Sequence, residues 1–294
     1  MDRLGRAGAL LAALVVTSGA LAACQDTPVE PESAEYVALG DSYTGAPGLG
    51  SVVDPSCSRS GQNYPSLLAQ ERRLDLVDVS CGSAWSDNAS KPQRIRAGSS
   101  VDPQLDALAK DTQLVTVSLG ANDEGLVPRI IFQCPAYVAA EDPSSNAPCS
   151  DKDAKLDDGS SQDILDGLPD KLSTLYRDIR KRAPEAKIIA VGYPQMFPSS
   201  GTCNALPLRE GDLAWADGIV RGLNDAVKAA AERTDVTYLD VYTPTEGHDI
   251  CAKDPWIAGK DAQAGKAAPF HPFAAEQELV AKLLNKTLDQ AASK

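Results

Sequence analysis

Ser42, Gly82, Asn122 and His271 are the residues whose types and settings suit them to break an acyl bond together. Ser42 closes Gly40-Asp41-Ser42, between the apolar run 36–39 and a glycine-rich run, 45–50. A serine hydroxyl attacks well only when it is exposed at a sharp turn beside a base. Gly-Asp-Ser is also ordinary turn chemistry, so the reading depends on the other parts. Gly82, next to Cys81, has no side chain to keep its backbone N–H from an oxyanion. The Asn122 amide, in Gly120-Ala121-Asn122-Asp123, is a neutral donor. His271 sits in Pro269-Phe270-His271-Pro272. With 2 histidines in the chain, His248 is the one rival base; it reads as a structural histidine beside Cys251. Asp41 and Asp123 adjoin the site, but a glycosidase needs two acids facing one bond at set separations. Each acid is read as orienting its own loop. The run 45–50 lacks the lysine and helix of a phosphate-cradling loop. Trp85, Tyr43, Tyr193 and Phe197 are either acyl-groove lining or ordinary core.

Such groups need a scaffold that gathers them. Short apolar, β-branched runs at 35–40, 76–80, 113–119, 187–193 and 236–241 read as strands. Helical patterns fall at 64–72, 103–110, 161–182, 210–233 and 274–291. Ile164, Leu165, Leu168, Leu172, Leu175, Tyr176 and Ile179 show i, i+3, i+4 spacing. Strands alternating with helices imply an α/β fold: a five-stranded parallel sheet covered on both faces. Right-handed crossovers then bring every strand C-terminus to one edge, where sites form in open α/β sheets. The polar stretch 132–160 reads as a surface lobe beside the site.

The ends, charge and cysteines bound the setting. Arg3 and Arg6 precede a short apolar core, 9–16, too short to span a bilayer. Residues 1–23 therefore read as a signal peptide. Leu21-Ala22-Ala23-Cys24 resembles a bacterial lipobox, which makes Cys24 the expected lipidation site and membrane anchor. Residues 24–34 read as a flexible tether, and 35–294 as one domain. A net charge of −13 leaves no basic stripe for nucleic acid. The expected location is outside the cytoplasm, lipid-anchored on the outer face of the membrane or secreted, as a monomer. Six cysteines remain, with no CxxC pair to suggest a metal site. An even set in an exported chain implies disulfides. Among about fifteen connectivities, sequential pairing is expected: Cys57–Cys81, Cys134–Cys149 and Cys203–Cys251.

Taken together and in order, these segments resemble the SGNH, or GDSL, esterase/lipase superfamily, whose four named residues fall on Ser42, Gly82, Asn122 and His271. The six-cysteine pattern, Val79-Ser80-Cys81-Gly82, Gly247-His248-Asp249-Ile250-Cys251 and Pro255-Trp256-Ile257 resemble its secreted actinobacterial branch. The resemblance implies a three-layer flavodoxin-like fold and cofactor-independent hydrolysis of carboxylic esters, with no metal. It also implies that Ser42 attacks the acyl group and His271 acts as general base. The Ser42 and Gly82 N–H groups and the Asn122 side chain would form the oxyanion hole. Many members carry Asp three residues before the histidine; here stands Ala268. Its backbone carbonyl is expected to orient His271, with Asp261 and Asp254 as the acids nearest in sequence. Phe273 and Glu276 also stand where members often have Asn and Gly. A silent glycan- or lipid-binding lipoprotein on the same fold is the alternative.

Overall fold

The computed structural model describes residues 34–96, 98–136, 144–157 and 159–292. The segment expected as a signal peptide, Cys24 and the expected tether up to residue 33 lie outside them. Pro31–Lys294 form a single compact unit, whose first described residue, Ala34, is already buried in the core.

Five strands form the central sheet: β1 (Tyr36–Gly40), β2 (Leu76–Asp78), β3 (Leu114–Ser118), β4 (Lys187–Val191) and β5 (Thr237–Leu239). All pair in parallel, in the spatial order β2-β1-β3-β4-β5, the flavodoxin-like arrangement. β1 and β3 are buried at every position, which is why they read as unbroken apolar runs. Alternate residues still separate by face. Val37 and Leu39 join one core cluster, Tyr36 and Ala38 the other.

Four long helices cover the two faces: α1 (Tyr64–Arg72), α2 (Ser161–Arg182), α3 (Glu210–Arg233) and α4 (Ala274–Ala292). α2 begins with a Ser160–Asp163 capping box and ends in Arg180, Lys181 and Arg182, each placed to suit the helix dipole. It and α3 pack on the Val37 face, while α1 and α4 pack on the Tyr36 face. The result is a three-layer α/β/α fold.

The strands are shorter than their apolar runs; β2 to β5 each stop before the run ends, its last residues turning into the loops above the sheet, while β1 loses only its first residue. The helix expected over 103–110 is a single 3₁₀ turn, Gln104–Ala107. Its Gln104 amide is spent elsewhere, donating to the Gly40 carbonyl (2.9 Å) and accepting from the Gly40 N–H (2.9 Å). Among the described residues no helix is long and apolar enough to cross a membrane. The cysteines pair in sequential order, Cys57–Cys81, Cys134–Cys149 and Cys203–Cys251.

Candidate active site

Strand register brings the first three segments together. Beyond the ladder itself, Cys81 N–H donates to Gly40 (3.0 Å) and Asp41 N–H to Ser118 (3.1 Å). The loops after β1, β2 and β3 therefore leave the sheet side by side. At the end of β1, Thr44 folds back over Gly40 so closely that a Cβ there would lie 2.0 Å from its Oγ1. Ser42–Gly45 then makes one helical turn capped by Asp41, whose Oδ1 accepts the Tyr43 N–H at 2.8 Å. The other oxygen of Asp41 accepts from the Tyr193 hydroxyl at 2.7 Å. Burial pushes Asp41 up to about 7, although both hydrogen bonds oppose it. Asp41 thus holds the turn that carries Ser42.

The second segment corrects one expectation. Gly82 is at the site, but its N–H is already committed to the Cys57 carbonyl at 2.9 Å. Residues 81–84 form a β-turn, with Ala84 N–H on the Cys81 carbonyl (3.1 Å) and Ser83 at φ +63°. In that turn the Ser83 N–H is not used by the turn's own hydrogen bond, which comes from Ala84. Like the Ser42 N–H, it has no hydrogen-bond partner among the described residues. The Cys57–Cys81 bridge and the Gly82–Cys57 bond hold this turn from both sides. In the third segment, Asn122 Nδ2 donates one hydrogen to the Ala84 carbonyl (3.1 Å) and keeps a second available. Asp123 receives the Ser86 N–H (2.8 Å) and the Ser86 hydroxyl, so it braces the loop after β2 against the loop after β3.

His271 arrives from the far end of the chain, and here too the structure differs from expectation. Its Nδ1 faces the carbonyl of Pro269 at 2.7 Å, not that of Ala268. The Ala268 carbonyl instead accepts the His271 backbone N–H at 3.2 Å. Proline at the second position and Phe270 at φ +61° at the third are the pattern of a type II turn. The turn closes through Ala268, which leaves the Pro269 carbonyl to meet the ring. A carbonyl can only accept, so Nδ1 carries the proton and Nε2 is the free base. Burial with no charged partner lowers His271 to about 4.

Among the described residues no hydrogen bond or ion pair joins Asp254 or Asp261 to His271. Asp254 belongs to His248, whose Nδ1 lies 2.8 Å from its carbonyl and whose ring stacks on Trp256 at 3.8 Å. Ser42, Gly82, Ser83, Asn122 and His271 line one cleft of about 240 Å³. Among the described residues no hydrogen bond joins the Ser42 hydroxyl to His271.

A model of the GDSL-like lipase/acylhydrolase family matches residues 38–279. The chain belongs to that family. It is 35% identical over 251 residues to Lipase 2 of Streptomyces coelicolor, covering 83% of this chain and 80% of that one. Among solved structures, a phospholipase A1 from Streptomyces albidoflavus NA297 aligns with TM-score 0.69 and 28% identity. An extracellular lipase from Streptomyces rimosus aligns with TM-score 0.69 and 25% identity. Each alignment covers 86% of this chain and 99% of the other. The protein is a carboxylic ester hydrolase of the SGNH/GDSL type, of the actinobacterial lipase branch.

Several supports of this family member's site were not evident from sequence. Tyr193 and Phe197 are buried core, Trp85 is 42% exposed outside the cleft lining, and of those four aromatics Tyr43 lines the cleft. Gln277 on α4 accepts from Tyr64 N–H (2.7 Å) and donates to the Tyr43 carbonyl (3.0 Å), tying two helices to the Ser42 turn. Ser83 carries no sequence signal beyond following Gly82. Its left-handed backbone is visible only once the turn is built.

Proposed function

We propose that the protein hydrolyses acyl esters through an acyl-enzyme on Ser42, with His271 as general base. One observation carries the reading. A serine and a histidine from opposite ends of the chain share a cleft with two unpartnered backbone N–H groups and a half-used amide. Ser42 Oγ adds to the ester carbonyl as Nε2 of His271 takes its proton. The oxyanion sits on the Ser42 N–H, the Ser83 N–H in place of Gly82, and Asn122 Nδ2. Collapse expels the alcohol, which receives the proton from His271, and water repeats the sequence on the acyl-enzyme. The Pro269 carbonyl holds the tautomer that this requires, though it stabilises imidazolium less than a carboxylate would. The missing Ser42–His271 bond in the free enzyme is compatible with this scheme, since such bonds often tighten only once substrate is bound.

The names of the relatives support an ester on a lipid or a small acylated molecule as substrate. The lipobox-like Leu21-Ala22-Ala23-Cys24 supports export and acylation of Cys24, with the enzyme acting as a monomer outside the cytoplasm. Ser42→Ala and His271→Ala are each expected to abolish p-nitrophenyl acetate hydrolysis, and a fluorophosphonate should label Ser42. Asp254→Ala and Asp261→Ala should retain most of the rate. Labelling of a folded protein without turnover would favour the silent binder. Labelled palmitate should enter the wild type and not Cys24→Ser.

A further inference from the structure

One side of the cleft is built largely by one short segment. After Asn122 the chain passes through Leu126–Pro128 into a wide, π-type turn, Arg129–Gln133, a feature often found at functional sites. Val127, Pro128, Ile131 and Phe132 from this segment line the cleft, and Phe270 faces them from the His271 loop. No Lys, Arg, Asp or Glu lines it among the described residues. A charged group entering would therefore lose its hydration with no counter-ion, which is costly. Its volume, about 240 Å³, falls below the roughly 300–1,000 Å³ typical of drug-sized ligand pockets.

Two features at the end of this wall are unusual. Phe132 is 61% exposed in a chain that buries most of its large apolar side chains, and it packs edge-on against Phe270 at 6.3 Å and 89°. Phe270 holds φ +61°, a region bulky side chains rarely occupy. It is fixed there because its N–H donates to Gly259 (3.1 Å) and its carbonyl accepts the Tyr43 hydroxyl (2.9 Å). The Phe270 backbone is clamped, and the Phe132 ring leans on the Phe270 ring while staying largely exposed.

We propose that the Phe132–Phe270 pair is the end wall of the acyl subsite and restricts this enzyme to uncharged esters of short acyl chains. The proposal rests on the acyl-transfer reading above. Because Phe132 is largely exposed, truncating it opens the subsite outward instead of leaving a sealed void. A longer chain then threads through the gap. Each methylene accommodated or refused in an apolar pocket is worth about tenfold or more in kcat/KM, so the wall governs chain length steeply.

The test is kcat/KM for p-nitrophenyl acetate, butyrate, octanoate and palmitate with the wild type, Phe132→Ala, Phe132→Leu and Phe132→Trp. The wild type should favour the shorter esters. Phe132→Ala should raise the octanoate-to-acetate ratio about tenfold or more, with Phe132→Leu between it and the wild type. Phe132→Trp should lower the butyrate-to-acetate ratio. Unchanged ratios in variants that still turn over acetate, or a wild type that prefers palmitate, would overturn the wall alone. No turnover of any ester by the wild type would overturn the acyl-transfer reading and the wall with it. Phe132 is a surface residue, so melting curves of the variants should stay near that of the wild type, and the leucine variant preserves the test if alanine does not fold.

Discussion

In the proposed mechanism the His271 imidazole begins each cycle uncharged, with the Pro269 carbonyl on its Nδ1. Because burial lowers it to about 4, the base stays unprotonated until the medium is distinctly acidic. The acid limb of kcat/KM is therefore expected near pH 4, well below the ordinary imidazole value of about 6.5. An inflection at the ordinary value, read with a soluble ester, would show that the ring is not desolvated during turnover. If Asn122 serves the oxyanion as proposed, Asn122→Ala should cost about 10²–10³ in kcat with little change in KM. Tyr193→Phe removes the hydroxyl that bonds Asp41 and lies 3.4 Å from the Ala121 N–H. It should lower kcat without shifting KM, because it loosens the Ser42 and Asn122 loops while touching no substrate. That Ser42 and Asn122 would share a cleft was legible because each follows a strand that a parallel α/β order delivers to one sheet edge, and His271 stood out as one of 2 histidines. The backbone groups were not legible. Which N–H is free (Ser83, not Gly82) and which carbonyl meets the ring (Pro269, not Ala268) depend on turn geometry, which residue identity only weakly constrains.

The loop after Ser42 and the loop before His271 are held against each other by a close backbone contact. Pro47 accepts the Ala268 N–H at 2.8 Å, and a Cβ on Gly48 would lie 2.4 Å from Ala268 N and 2.7 Å from Ala267 C. Gly48→Ala should push the two loops apart and depress both melting temperature and kcat. Gly98 has nearly the same φ, +81° against +83°, with nothing near its missing side chain. Gly98→Ala should cost only backbone strain, about 1–2 kcal/mol. On α4, Glu276 is buried with Gln277 Nε2 at 2.7 Å, and burial pushes it up to about 8. The folded state keeps this proton while the unfolded chain loses it near 4.5, so stability falls as pH rises between those values. Asp41 acts in the same sense up to about 7. Glu276→Gln should remove the part of the decline between pH 7 and 8, measured by urea midpoints across that window. The long helices were readable because apolar spacing repeats over many turns, as in α2. The segment 103–110 was misread because its polar residue serves a strand end, a tertiary demand with no local period.

The three disulfides close intervals of 24, 15 and 48 residues around loops on the site's edge of the sheet. Each is worth about 3–4 kcal/mol by chain entropy, so dithiothreitol should lower the melting temperature and, through the Cys57–Cys81 turn, the turnover. Because every strand of the sheet runs the same way, the molecule has two unlike poles. Tyr36 enters β1 at one pole, and the residues that follow Gly40, Ser118 and Val191 emerge at the other. A bead, electrode or carrier coupled just upstream of Tyr36 would therefore hold the enzyme by its blind end. The mouth of the cleft would stay turned toward the surrounding solution, and immobilised material should retain its rate on dissolved esters.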